Sequence, residues 1–443
     1  MIGRVRRRLR GNVISAYLAL DRARQDGGVV DRAAAPLQRR RAMFFCDASD
    51  PYSYLMAQKL PALQARHGLE VDLVVVSPAA PAVRPGGAQH DAYAMRDAAL
   101  LSRWYEVAFP ADPVLPPPAL VARAQAVLMR PRDAVAQLAA MRALGEALWR
   151  GDAAGVDALE VELGAVPGSE VAGRLRAGNA LLRTFGHYQG SMLRYRGIWY
   201  WGVDRLAHLD ARLSRAGGDP RLGRASGGGR ADGALMSMRP VSALPAVTTR
   251  ADRLICYCSV RSPYSYIGLV RAARIAAEQG VVLDVRPVLP LRMRGVAVPR
   301  VKELYIARDA SREAARHGIP FGRICDPLGA GVERSMAVFS YAREAGRGAA
   351  FLCAVGRAVW ADALDLTGDR DLARVVESAG LDWGRARAAL VDTSWRELTA
   401  RHRDELDDVG LWGVPSFCLG DLAVWGQDRL PIIEDILRRQ PRA

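Results

Sequence analysis

The chain has 443 residues, 50% of them hydrophobic and 25% charged, a composition that suits a folded globular protein and excludes a disordered one. No stretch approaches the ~18 consecutive apolar residues of a membrane span. The 62 basic and 47 acidic residues leave +15, of which residues 1–42 carry +8 and residues 214–250 carry +4, so the folded bodies are nearly neutral and no nucleic-acid partner is expected.

Residues 1–42 form a basic N-terminal segment in which Val5, Leu9, Val13, Tyr17 and Leu20 make an apolar stripe opposite Arg4, Arg7 and Arg8. A basic amphipathic helix of this kind can lie on an anionic membrane, but more often it docks onto its own protein or stays mobile, and membrane contact is not expected here. The run continues into Asp21-Arg22-Ala23-Arg24 without a convincing cleavage site, so a cytoplasmic location is expected.

Beyond this segment the chain repeats itself. Asp50-Pro51-Tyr52-Ser53-Tyr54 answers Ser262-Pro263-Tyr264-Ser265-Tyr266 at an offset of 212, and Tyr93-x-x-Arg96-Asp97 answers Tyr305-x-x-Arg308-Asp309 at the same offset. Gly145 to Trp149 answers Gly356 to Trp360 at 211, and Trp201-Gly202-Val203-Asp204-Arg205 answers Trp425-Gly426-Gln427-Asp428-Arg429 at 224. The four matches in order predict two tandem domains, 43–213 and 251–441, the second longer by about 13 residues ahead of its last hairpin. Between them, 214–250 is rich in Gly, Ala, Arg and Ser and is expected to be a flexible linker.

Within the second copy, Leu254 to Ser259 reads as a short strand. Tyr264 to Gln279 reads as a helix with a stripe of Tyr266, Leu269, Val270, Ala273 and Ala277, and Val281 to Leu289 alternates as a strand does. A helical stretch from Val301 to Leu406 follows, then strands at Ser416 to Leu419 and Leu422 to Trp425, and a closing helix from Asp428. The order is that of an α/β thioredoxin fold with an all-helical subdomain inserted in its middle, present twice. The six cysteines, Cys46, Cys256, Cys258, Cys325, Cys353 and Cys418, form no CxxC and have no His at zinc-binding spacing, so no metal site is expected.

Ser262-Pro263-Tyr264-Ser265 stands where disulfide oxidoreductases of the DsbA type carry Cys-Pro-x-Cys, with both cysteines replaced by serine. With Gly413-Val414-Pro415-Ser416-Phe417 and Trp425-Gly426-Gln427-Asp428-Arg429, it resembles the 2-hydroxychromene-2-carboxylate isomerases and kappa-class glutathione transferases. The resemblance implies that Ser262 activates the thiol of bound glutathione, that a cis bond before Pro415 presents the Val414 backbone to the peptide, and that Asp428 meets its γ-glutamyl ammonium, with Gln427 and Arg429 counted among the cofactor-binding residues. It further implies that Tyr264, Lys302, Tyr305 and Asp309, followed by Arg312, wall a pocket for a small-molecule electrophile. A hydroxyl at a helix N-terminus is physically suited to the thiolate, since the dipole and free N–H groups favour an anion there. The plainer readings are that Ser262 and Asp428 only cap helices and that the Lys302 to Arg312 face carries solvated charge pairs.

The first copy departs from the pattern at the critical points. Asp50 replaces the activating serine, and a carboxylate beside a thiolate raises the thiol's pKa. Gly190 aligns with the proline to within one residue, and only Asp204-Arg205 survives. A non-catalytic first domain is therefore expected, standing in for the second subunit of a homodimer as an intramolecular pseudo-dimer. Two other functions stay open: a DsbA-like thiol-disulfide oxidoreductase using Cys256, Cys258 or Cys418, and a scaffold of two decayed domains.

Overall fold

The computed structural model describes residues 11, 13–21, 41–84, 86–216 and 252–440. Contacts divide the chain into two compact units, Ala23–Leu244 and Met1–Arg22 together with Pro245–Ala443. Among the described residues no helix is long and apolar enough to cross a membrane.

The first unit runs β1 (Arg41–Cys46), α2 (Pro51–His67), β2 (Glu70–Val75), then α3 (Gly87–Trp104), α4 (Pro118–Leu128), α5 (Ala134–Arg150), α6 (Ala153–Leu163) and α7 (Gly168–Thr184), and closes with β3 (Met192–Tyr195), β4 (Ile198–Trp201) and α8 (Leu206–Ala216). Its sheet has the order β2-β1-β3-β4, with β1 and β2 parallel and the other pairs antiparallel. Residues 214–216, expected in the linker, extend α8 instead. The remainder of the expected linker, 217–250, lies outside the described residues.

The second unit repeats this plan with β5 (Arg253–Cys258), α9 (Pro263–Gln279) and β6 (Val282–Pro287), six helices, α10 (Arg300–Arg316), α11 (Ala330–Glu344), α12 (Gly348–Trp360), α13 (Asp369–Ser378), α14 (Trp383–Ala389) and α15 (Trp395–Asp408), then β7 (Ser416–Leu419), β8 (Leu422–Trp425) and α16 (Leu430–Arg439). The sheet order is β6-β5-β7-β8. After Trp149 the first unit has two inserted helices and after Trp360 the second has three, which is where the additional residues go.

Both units start their first long helix in the same way. Asp50 and Ser262 cap α2 and α9, a proline occupies the first turn, where its missing N–H costs nothing, and Gly68 and Gly280 end the helices in the left-handed conformation with φ of 60° and 68°. The stripe expected on α9 is only partly the buried one. Tyr266 and Leu269 are buried, but Ala277 is exposed, and Ile267, Gly268, Arg271, Ala272 and Ile275 complete the inward surface, because α9 is covered on several sides. The same glycine device seats a neighbouring helix in each unit. A Cβ on Gly145 of α5 would lie 2.3 Å from the Tyr54 ring, and one on Gly356 of α12 would lie 2.5 Å from the Tyr266 ring.

Residues 13–21 are helical (α1) and pack on the second unit. Ser15 Oγ accepts from Ile324 N at 3.2 Å and donates to Gly11 O at 2.8 Å. Asp21 pairs with Arg308 at 3.3 Å, and the Arg308 guanidinium sits 4.2 Å over the Tyr17 ring. The buried face is therefore Gly11, Leu18 and Asp21, whereas Val13 and Leu20 of the expected stripe are 66% and 63% exposed. Val5 and Leu9 lie outside the described residues.

Candidate active site

In the second unit, β5 delivers the chain to a tight turn in which Ser262 N donates to Ser259 O at 2.9 Å. The Ser262 hydroxyl accepts from Ser265 N at 3.1 Å, as an N-cap does, and donates to Val414 O at 3.4 Å, 152 residues away. Capping and contact with the 413–415 loop are thus properties of one hydroxyl. Ser265 points inward and accepts from Ser259 N at 3.1 Å, fixing the turn.

The Val414–Pro415 bond is cis. Two glycines allow the loop to sit against the helix. A Cβ on Gly268 would lie 3.2 Å from Pro415 Cγ and 3.0 Å from Phe417 Cζ, and one on Gly413 would lie 2.5 Å from the Trp425 indole. Past the loop, β7 enters the ladder with Ser416 opposite Trp425, and Gly426 N closes back on Pro415 O at 2.8 Å.

The expected pocket residues are not a solvated helix face. Tyr305 and Asp309 are 6% and 1% exposed, Asp309 accepts from Tyr264 OH at 2.7 Å, and Arg312 pairs with it from one turn further on. Burial depresses the Lys302 ammonium below its ordinary value. One group was not anticipated. Arg261, next to Ser262, bonds Asp326 at 2.9 and 3.0 Å and Glu303 at 3.3 Å, while Arg292 reaches the same Glu303 at 3.0 Å. Burial works against the Arg261 charge, but the two carboxylates outweigh it and raise its pKa. The only signal in the sequence was that Arg261 answers Ser49 across the repeat.

At the γ-glutamyl end the structure separates three residues that the sequence grouped together. Asp428 is half-buried, whereas Gln427 and Arg429 are 0% and 5% exposed and turn inward. Gln427 Nε2 donates to Glu313 Oε2 at 2.7 Å and to Asp428 Oδ1, and Arg271 donates to the Gln427 carbonyl at 2.8 Å and to its Oε1. The side chains of Gln427 and Arg429 are thus held in the protein interior, and of the three only Asp428 is partly exposed.

Every cysteine in the described residues is reduced. Burial pushes Cys353 and Cys418 up to about 12 and 11, and Cys256, beside Cys258, is raised well above its ordinary value. These are thiols held away from the thiolate form, the reverse of what disulfide exchange needs. Among the described residues no group of three His, Cys, Asp or Glu is placed to hold a metal ion.

The first unit builds the same turn with other chemistry. Its ladder pairs Met192 with Trp201, and Gly202 N bonds Ser191 O at 2.9 Å. Ser191, not Gly190, therefore stands at the proline position, one residue from the expected alignment. The Ser191 hydroxyl donates to Asp50 Oδ2 at 2.7 Å and lies 2.8 Å from Ser53 Oγ. Burial raises the Asp50 pKa against the Ser191 bond and, together with the Asp50 charge, pushes Asp47 up to about 7. Tyr52 OH bonds Asp97 at 2.8 Å, the counterpart of Tyr264 and Asp309.

Comparison with known families places this geometry. Residues 253–438 match the DSBA-like thioredoxin domain family. This part of the chain is a DsbA-like thioredoxin domain. Over 191 residues the chain is 24% identical to a 2-hydroxychromene-2-carboxylate isomerase of Sphingobium xenophagum, covering 41% of this chain and 95% of that protein. It is 26% identical to the one from Pseudomonas putida, covering 41% and 93%. Among solved structures, a 2-hydroxychromene-2-carboxylate isomerase is 26% identical with a TM-score of 0.37, covering 42% of this chain and 95% of that one. The cytosolic disulfide reductase DsbM of Pseudomonas aeruginosa, solved with GSH, is 19% identical with a TM-score of 0.32, covering 42% and 96%. The DsbA-like domain thus accounts for less than half of the chain, while the relatives are matched over nearly their whole length.

Proposed function

We propose that the second unit is a glutathione-dependent isomerase or transferase that acts on an electrophilic, aromatic substrate. The observation that carries this reading is the placement of the Ser262 hydroxyl at the N-terminus of α9, in contact with the Val414 carbonyl ahead of the cis Pro415 bond, with no cysteine at either serine of the motif. A ligand thiol brought to this point meets a hydroxyl donor and the positive end of a 17-residue helix, both of which favour its thiolate. The 2-hydroxychromene-2-carboxylate isomerase name of both sequence relatives supports the reaction class.

In the proposed mechanism the Ser262 hydroxyl would hold the sulfur of bound glutathione and, with the α9 N-terminus, favour its thiolate while the thiol proton passes to solvent. Glutathione would supply a nucleophilic sulfur for addition to a conjugated carbon, giving cis/trans isomerisation where the sulfur is released again and a thioether where a proton returns to the acceptor instead. Tyr264 and Lys302 face the acceptor side, and the buried Asp309 accepts from Tyr264 OH behind them. The first unit, with a carboxylate at the serine position, is a non-catalytic companion that arose by duplication.

Calorimetric titration of glutathione into the intact protein tests this. One site per chain is expected, weakened ~10-fold or more in Ser262→Ala, since a hydrogen bond to a charged group contributes ~1.5–3 kcal/mol. Absence of binding at millimolar glutathione would reject the reading in favour of a scaffold.

A further inference from the structure

Gln427 uses every hydrogen-bonding group of its side-chain amide. A glutamine amide offers two N–H donors and one acceptor oxygen. Here one hydrogen goes to Glu313 on α10, the other to Asp428, and the oxygen takes a guanidinium hydrogen from Arg271 on α9, which also holds the Gln427 main-chain carbonyl. Two carboxylates on one side and a guanidinium on the other leave only one orientation of the amide that satisfies all three. Arg271 is 6% exposed, and burial lowers its pKa to about 10, with Asp428 and Glu313 acting in the opposite sense. The guanidinium therefore stays charged at neutral pH and anchors an alternating arrangement of cation, amide and two anions.

We propose that Gln427 is a positioning residue for ammonium recognition: it bridges Glu313 and Asp428 through its two amide hydrogens and presents the half-buried Asp428 carboxylate to the γ-glutamyl ammonium of the ligand. The inference rests on the glutathione reading and adds to it a residue that never touches the ligand. Glu313 serves as the fixed end of the bridge. Were an anion to replace the amide, three carboxylates would crowd one interior point, Asp428 would lose the Gln427 N–H, and the geometry offered to the ammonium would be lost while the sulfur end of the site stayed intact.

The test compares glutathione with N-acetylglutathione, which keeps every part of the peptide except the ammonium, by calorimetry on the full chain. Wild type is expected to prefer glutathione, and Asp428→Asn is expected to erase the preference. Gln427→Glu is expected to reduce it by ~10-fold or more while N-acetylglutathione binds as it does to wild type. A Gln427→Glu protein that keeps the full preference overturns the positioning role. No glutathione binding by wild type, or a preference that survives Asp428→Asn, rejects the ligand reading itself. Should the variant fail to fold, the wild type decides: the Gln427 side-chain amide resonances must shift on adding glutathione and not N-acetylglutathione, and equal shifts overturn the proposal.

Discussion

The two units carry the same strand order, the same proline-opened first helix and the same glycine seat beneath a tyrosine, yet their sites differ in the sign of what they can hold. In the second unit a neutral hydroxyl caps α9 beside a cis proline, and the cation Arg261 is the preceding residue. In the first a carboxylate caps α2, Ser191 fills the proline position, and its hydroxyl is spent on Asp50. The same scaffold is thus built with three different residue pairs at the turn, Ser262 against Asp50, Pro415 against Ser191 and Arg261 against Ser49. Packing preserves the architecture; the cap residue sets the chemistry.

The contrast is sharpest in its pH dependence. Asp47 binds its proton up to about pH 7 in the folded first unit, whereas an unfolded aspartate loses it near pH 4. Between those values the folded state holds more protons than the unfolded one, so stability falls as pH rises through this window. At ~1.4 kcal/mol per pK unit, urea midpoints should show the first unit losing a few kcal/mol from pH 4 to pH 7, and Asp47→Asn should flatten that slope. Next in size, Ser262→Ala should reduce glutathione-dependent turnover ~100-fold, near 2.7 kcal/mol in barrier, while Asp50→Ala leaves turnover unchanged. Loss of activity in both would break the asymmetry. The glycine seats should respond alike: Gly145→Val and Gly356→Val each overpack a tyrosine ring and should cost ~1–3 kcal/mol, read as lower denaturation midpoints of the corresponding unit. Asp21→Ala should have the smallest effect, about 1 kcal/mol, seen as a lower melting temperature of the second unit only.

The strand and helix order was legible because alternation and helical spacing are local properties, and the ordered motif pairs at offsets of 211–212, then 224, pointed to one plan used twice. What escaped the sequence depended on partners far along the chain. The one-residue slip between Gly190 and Ser191 is set by the ladder pair Met192 with Trp201, which no pairwise alignment of short motifs constrains. The motif at 425–429 named Gln427 without its side-chain partners; its inward turn is due to Arg271 and Glu313, polar residues whose burial hydropathy cannot anticipate. The α1 face was misread for a related reason. Apolar periodicity selected Val13 and Leu20, which are exposed, and Tyr17, which meets Arg308; the docking otherwise uses Gly11, Leu18, the Ser15 hydroxyl and the Asp21 ion pair.

That docking also orders events in time. Ser15 and Ile324 are 309 residues apart, so at ~5–20 residues per second α1 leaves the ribosome ~15–60 s before the loop that receives it has been made. An entire α/β unit is synthesised in the interval. The helix is thus a promise made early in translation and kept only at its end, and the first unit can complete its fold before the second acquires its N-terminal helix.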